Sequence, residues 1–203
     1  AAAVAAAAAA ATATATAAVQ VEVEARSLPR GTLVARKQDA VHVGIDDAVR
    51  APNAEIDLSA LFGNGQHGDV YLVRARAGGE NGRWNTYWRA ARPDVLDWAR
   101  SDYKITPILR YANFTGLSAL PRVKTSVAWS RVSVGTISAT VALPAAAAAV
   151  ALAVHVDAGV PNALYSSNYF TLLPGESRVV TIDYEHDDDA HIRDVAATPY
   201  NCC

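Results

Sequence analysis

Apolar and polar residues alternate at the start of the non-repetitive part of the chain with the two-residue period of a β-strand. Valines occupy positions 19, 21 and 23, and Gln20, Glu22 and Glu24 lie between them, as in a strand with one buried face. Turn residues at 28–31 and an extended segment over 32–43 follow. This order predicts an antiparallel hairpin.

The same period continues to residue 90. Residues 54–61 place Ile56 and Leu58 in phase, residues 69–77 alternate again, and the aromatic segment 83–90 has the composition of a strand. The sequence therefore predicts a first all-β module over residues 19–90.

A less regular segment, residues 91–121, separates this module from a second one. Its prolines, Pro93, Pro107 and Pro121, are spaced too closely for a long helix or a central strand, so we interpret it as a connector. Strand patterns resume at 123–129, at 131–143 with a phase change across Gly135 that indicates a turn or bulge, and at 151–157 and 178–184. They predict a second module over residues 122–203.

Short strands separated by turn residues indicate a sandwich architecture. We therefore expect an all-β fold with two Ig-like antiparallel β-sandwich domains in tandem. Residues 1–18 are alanine and threonine with one valine, and we interpret them as a low-complexity linker. A fraying alanine helix and a membrane span are the alternatives that the composition leaves.

Composition excludes some partners. The net charge is -2 with 18 basic and 20 acidic residues, which gives no electrostatic footprint for nucleic acid or an anionic membrane. The chain contains no methionine, so we interpret it as a fragment or a processed piece. Its two cysteines, Cys202 and Cys203, are adjacent, and neighbouring cysteines do not pair easily.

One long motif carries a family resemblance. Residues 164–182, LYSSNYFTLLPGESRVVTI, resemble the last Ig-like domain of family 2 glycoside hydrolases of the exo-β-D-glucosaminidase and mannosylglycoprotein endo-β-mannosidase type. Ser167 stands where that family usually has aspartate. Further similar segments precede it in the family's order: RWNTYWRA at 83–90, DVLDW at 94–98, YANFT at 111–115 and GLSALP at 116–121.

The resemblance implies an accessory role. In that family two glutamates on a (β/α)8 barrel, N-terminal to the sandwiches, perform the retaining reaction, and the matched segments contain no such barrel. We therefore expect no catalytic residue, no metal and no cofactor in this chain. The implied partner is a glycoside hydrolase barrel, in cis or in trans, with carbohydrate as a further ligand.

Aromatic residues near turns and in the connector are candidates for contact with carbohydrate or a neighbouring domain, because aromatic faces pack on the C–H faces of sugars. Trp88 and Trp129 lie on predicted strands and are expected in the core. The candidates for carbohydrate or domain contact are Trp98, Tyr165, Asn168 and Tyr169.

Two polar motifs have plainer interpretations. Asn113 begins an N-x-T sequon, which is glycosylated only in a eukaryotic secretory pathway. The run EHDDDAH at 185–191 lacks the spacing of a calcium loop or a zinc site, and we interpret it as a solvated loop.

Three functions remain open: an accessory region that packs against a catalytic barrel, a free-standing carbohydrate-binding module, and a structural Ig-like pair. Docking predicts a broad exposed apolar patch. Direct carbohydrate binding predicts a planar row of exposed Trp or Tyr side chains.

Overall fold

The computed structural model describes residues 17–44, 48–63, 68–79, 82–185 and 194–202. Strands dominate, and all their pairings are antiparallel. The strands of the first part are β1 Ala17–Ser27, β2 Thr32–Val43, β3 Val70–Ala77, β4 Asn85–Ala90, β5 Val95–Leu96 and β6 Ile108–Arg110. Those of the second part are β7 Ser126–Ser133, β8 Thr136–Ala142, β9 Ala151–Asp157, β10 Leu164–Tyr165, β11 Phe170–Leu172, β12 Ser177–Asp183 and β13 Ala196–Thr198.

Helices are short. The 3-10 helices are Pro52–Ala54 and Trp98–Arg100, and the α-helices are α1 Leu58–Phe62 and α2 Thr115–Ser118. Among the described residues no helix has the length and apolarity to cross a membrane. The prediction of an all-β antiparallel fold is confirmed.

The chain divides into two compact units. The first comprises Ala1–Leu28 with Thr32–Leu117, and the second comprises Pro29–Gly31 with Ser118–Cys203. In the first unit the strands form one four-stranded sheet in the order β2-β1-β3-β4 and a two-stranded sheet, β5-β6. The hairpin predicted around residues 28–31 is present, with a register shift between Ala25 and Arg26.

One face of the four-stranded sheet is covered by the segment between β2 and β3. Phe62 of α1 is fully buried and its ring stacks on Tyr71 of β3, with centroids 3.7 Å apart. Helix α1 begins where the Asp57 carboxylate accepts hydrogen bonds from the amides of Ser59 and Ala60, at 3.0 and 3.2 Å. The strand predicted from the spacing of Ile56 and Leu58 in residues 54–61 is therefore wrong, because a capped helix occupies part of this segment.

The opposite face of β1 is also buried, which the alternating pattern did not predict. Glu22 and Glu24 are only 5% and 0% exposed, although their positions between valines indicated a solvated face. Arginines from neighbouring strands pair with both carboxylates, and this pairing is what makes their burial tolerable.

The second unit is a β-sandwich. One sheet has the order β10-β12-β8-β7 and the other has the order β11-β9-β13. Alternate residues of β12 and β9 point into the core, where Val180, Ile182, Val154 and Val156 are all 0% exposed, each contributing about 1.5–3 kcal/mol through burial. The strands predicted at 151–157 and 178–184 are confirmed, and the predicted turn at Gly135 joins β7 to β8.

A buried asparagine ties the end of the chain to this sandwich. Asn201 is 7% exposed. Its Nδ2 donates to the carbonyls of Pro121 and Val150, at 2.9 and 3.0 Å, and its Oδ1 accepts from the amide of Leu152 at 3.0 Å. Three hydrogen bonds satisfy the buried amide and fix the last residues on the second unit.

Several predictions need correction at the level of single residues. Ala17 and Ala18, assigned to the linker, are the first residues of β1, and the rest of that tract lies outside the described residues. Trp88 and Trp129 are half-buried at the sheet surface rather than core residues. Cys202 is disulfide-bonded, and Cys203 lies outside the described residues.

Candidate functional site

The segment predicted as a connector contains a small hairpin in the first unit. Strand β5 pairs with β6, and the amide of Asp97 donates to the carbonyl of Pro107 at 2.8 Å. At its turn the Asp102 carboxylate accepts from the amides of Lys104 and Ile105, at 2.7 and 2.9 Å. These bonds from the backbone of Ile105 and Lys104 hold the pKa of Asp102 below its ordinary value, and they are the local reason why aspartate suits this turn.

The hairpin and the residues after it expose large apolar side chains. Trp98, Tyr103 and Tyr111 are 71%, 91% and 74% exposed, and the other members are at least 37% exposed. We call this set the connector surface; its residues are Val95, Trp98, Tyr103, Ile105, Ile108, Leu109, Tyr111 and Phe114. It contains Trp98, one of the residues predicted to contact carbohydrate or a domain.

Charged residues of both signs lie among these apolar side chains, and Asp102, Lys104 and Arg110 are exposed. Arg100 is engaged by the Asp97 carboxylate, and the Lys104 ammonium lies 5.3 Å from the centroid of the Tyr103 ring.

The other candidates lie in the second unit: Tyr165 ends β10, and Asn168 and Tyr169 lie on the loop between β10 and β11. Asn168 behaves as a strand partner: its Oδ1 accepts from the amide of Val156 at 2.8 Å, and its Nδ2 donates to the carbonyl of Val156 at 3.0 Å. The Tyr165 hydroxyl accepts from the amide of Ala158 at 3.1 Å. Both side chains therefore use their polar atoms to hold the loop against β9 and the residue after it.

Tyr169 is the exposed member of this loop. Its ring is 67% exposed, and it stacks on His155 with centroids 5.1 Å apart. Its φ of 53° lies in the left-handed region, which non-glycine residues adopt rarely. A hydrogen bond from the Tyr169 amide to the Asn168 carboxamide, 2.9 Å long, accompanies this conformation.

Ser167, which stands where the resemblance led us to expect aspartate, has a structural partner. Its Oγ accepts from Nη1 of Arg178 at 3.0 Å, and the Arg178 guanidinium lies 4.8 Å from the centroid of the Phe170 ring. An aspartate carboxylate at position 167 would therefore lie next to the Arg178 guanidinium.

Asn113 is exposed, and its Oδ1 accepts from the amide and the hydroxyl of Thr115 at 3.0 and 2.7 Å. The sequon is therefore a solvent-facing turn. Within the described part of the chain no group of three or more His, Cys, Asp or Glu residues is arranged to hold a metal ion. Of the acidic run at 185–191 only Glu185 is described, so its interpretation as a solvated loop stays a prediction.

A buried ionic cluster on the first unit's sheet was missed. Arg76 donates from Nε and Nη2 to Oε2 of Glu22, at 2.9 and 2.7 Å, and Nε of Arg36 lies 2.9 Å from the other Glu22 oxygen. Arg36 also donates to Glu24, as does Arg26 at 2.7 Å. The cluster is a continuous network on one sheet face.

The ionic cluster sets the protonation of its central carboxylate. Burial acts to raise the pKa of Glu24, but hydrogen bonds from Arg26 and Arg36 outweigh it, and the pKa lies below the ordinary value. The guanidinium groups of Arg74 and Arg76 each lie 4.6 Å from the Trp84 ring centroid. The sequence did contain a signal, because Glu22 and Glu24 are two residues apart on β1 and Arg74 and Arg76 are two residues apart on β3. The strand register places the two pairs directly opposite each other.

Comparison with known protein families finds a match for the C-terminal half of the chain. Residues 103–202 match the family model described as the exo-beta-D-glucosaminidase Ig-fold domain. An exo-β-D-glucosaminidase of Streptomyces avermitilis is 32% identical over 127 residues, which cover 58% of this chain and 14% of that protein. One from Amycolatopsis orientalis is 30% identical over 117 residues, 51% of this chain and 11% of that protein.

Among solved structures, the chain is similar to the Amycolatopsis orientalis exo-chitosanase, with a TM-score of 0.74 and 21% identity over 91% of this chain and 23% of that one. Likeness at this identity shows the fold. The chain spans 14% or less of the length of these two curated relatives, which are therefore much longer proteins.

Proposed function

We propose that this chain, whose residues 103–202 match the model of the exo-beta-D-glucosaminidase Ig-fold domain, is a non-catalytic accessory region of a family 2 glycoside hydrolase. Its work is to pack against a catalytic barrel. The reaction of the complete enzyme is hydrolysis of β-linked glucosamine or mannose units. The activity in the names of the relatives supports the first of these substrates.

The connector surface is the observation that carries this proposal. Docking requires a broad apolar patch, and eight large apolar side chains within residues 95–114 are exposed. Exposed large apolar side chains that cluster in one segment often mark a contact site for another domain. A covering domain removes this surface from water.

The buried carboxylates argue against catalysis within this chain. Glu22 and Glu24 lie on one sheet face and share Arg36, and a retaining glycosidase also uses two neighbouring carboxyl groups. A catalytic acid, however, needs a raised pKa, and arginines lower that of Glu24. The pair is suited to stability rather than to proton transfer to a sugar.

The test is hydrolysis of p-nitrophenyl β-D-glucosaminide and β-D-mannoside by the purified chain, with binding of chitosan oligosaccharides measured in the same buffer. We expect no turnover of either substrate. Turnover that survives repurification and is lost in a Glu22→Gln/Glu24→Gln variant would refute the proposal.

A second function, direct contact with carbohydrate, is supported by Tyr169. Its exposed ring is held in a rare backbone conformation and backed by His155, as suits a preformed stacking surface for a sugar. If the chain binds chitosan oligosaccharides, Tyr169→Ala should weaken binding at least tenfold. Tyr200→Ala removes an equally exposed ring, 70% exposed, and should leave binding unchanged; equal effects of both changes would argue against this site.

A further inference from the structure

We infer that Asn113 is the attachment site of an N-linked glycan when the chain passes through a eukaryotic secretory pathway. The inference does not depend on the proposed function. It is argued from the exposure of the sequon at residues 113–115, from the hydrogen bonds of its asparagine and from the contrast with a buried asparagine of the same chain.

The sequon lies in an exposed turn. Residues 111–114 join β6 to α2, and the side chains of Asn113, Phe114 and Thr115 are all exposed. A glycan is bulky and polar, so it requires a surface position of this kind. No other asparagine of the sequence is followed two positions later by serine or threonine. Any N-x-S/T glycosylation of this chain is therefore directed to Asn113.

The hydrogen bonds of Asn113 suit the modification. Its Oδ1 accepts from the amide of Thr115 at 3.0 Å and from the Thr115 hydroxyl at 2.7 Å. The glycan is attached to Nδ2, and neither of these bonds involves that nitrogen. Because the carboxamide oxygen is unchanged by the modification, the glycosylated turn keeps both acceptor contacts.

Asn201 shows the opposite arrangement. Its side chain is buried, and its Nδ2 donates to the carbonyls of Pro121 and Val150 at 2.9 and 3.0 Å. A substituent on that nitrogen would replace a hydrogen that is engaged in one of these bonds and would leave a buried carbonyl without its donor. The fold thus accommodates a glycan on Asn113 and excludes one on Asn201.

Aromatic side chains flank the attachment point. Tyr111 and Phe114 are 74% and 42% exposed, and aromatic faces pack on the C–H faces of sugars. The first sugars of the glycan therefore have apolar surface beside them. A glycosylated Asn113 must face solvent in every assembly, so a domain that packs on the connector surface has to leave this end of it uncovered.

The transfer requires one co-substrate, a lipid diphosphate that carries an oligosaccharide. A bond forms between Nδ2 of Asn113 and the anomeric carbon of the first sugar, and the bond between that carbon and the diphosphate oxygen breaks. Nδ2 loses one proton, and the lipid diphosphate is the leaving group. No atom is oxidised or reduced.

The experiment directs the 203-residue chain into the secretory pathway of cultured mammalian cells with a cleavable signal peptide. Protein from the medium and from the cells is treated with peptide N-glycosidase F, which leaves aspartate where a glycan was attached, and the tryptic peptide 111–122 is examined by mass spectrometry. We expect most molecules to carry a glycan on Asn113. The enzyme should release it as completely from native as from denatured protein, because the turn is exposed.

Thr115→Val and Thr115→Ser form a matched pair of variants. Valine has the shape of threonine without its hydroxyl and should abolish the modification, whereas serine keeps the hydroxyl and should retain it. An unmodified Asn113 in the wild-type chain would overturn the inference, as would modification of Thr115→Val to the same extent as the wild type. Release of the glycan only after denaturation would contradict the exposed position of Asn113 and would also overturn it.

Discussion

Glu24 is the residue whose burial most constrains the first unit. It is fully buried on β1 and receives hydrogen bonds from Arg26 and Arg36. Glu24→Gln keeps the shape of the side chain but leaves arginines without their counter-charge, and we expect it to lower the free energy of unfolding at pH 7 by about 2–3 kcal/mol. Chemical denaturation at constant pH measures this difference.

The pH dependence of the same variant follows from the lowered pKa of Glu24. A carboxylate with a folded-state pKa below its unfolded value stabilises the protein above the unfolded value and loses that contribution as pH falls through the folded one. The gap between wild type and Glu24→Gln should therefore shrink below about pH 4.5, the ordinary value. Glu55→Gln, at an exposed ion pair with Arg50, is the control, and an equal loss in both variants would contradict the argument.

For single residues, prediction from the sequence was limited because burial and hydrogen bonding depend on partners that the local pattern does not identify. The polar positions of β1 were identified, but their burial was not, because burial of Glu24 depends on arginines supplied by β1 itself and by β2. Asn168 was proposed as a contact residue from its motif alone. Its two hydrogen bonds to the backbone of Val156 join the loop to strand β9. The alternation of apolar and polar residues does not predict contacts between segments this far apart in the sequence.

At the scale of elements, the sequence was most informative where one face is buried and the period is uninterrupted. Strands β9 and β12 lie where the pattern indicated, because valine and isoleucine at every second position specify the register. Helix α1 was missed because five residues are too few for a helical period to be visible, and its start depends on Asp57 as a cap. Strands β5 and β6 have two and three residues, too few for alternation to reveal.

At the scale of the whole molecule, the all-β antiparallel fold was predictable from the sequence. Which segments of the chain belong to each unit was not. Residues Pro29–Gly31 belong to the second unit although more than eighty residues of the first unit separate them from its main part. Within the second unit the carbonyl of Pro29 accepts from the amide of Val150 at 2.9 Å, and Arg30 donates to the carbonyl of Ala145 at 3.2 Å. Such contacts between distant segments leave no periodic signal.

Gly31 makes this membership testable. Its φ is +70°, and a Cβ atom there would lie 2.5 Å from Cδ2 of Leu173, a side chain that is 7% exposed. Gly159 has a nearly equal φ of +69° but open space around it, so Gly159→Ala isolates the backbone strain of about 1 kcal/mol. Gly31→Ala should add the cost of displacing Leu173, about 1–3 kcal/mol more, and thermal unfolding measures both. Equal losses would mean that the turn shifts freely and that Pro29–Gly31 is not a fixed part of the second unit's core.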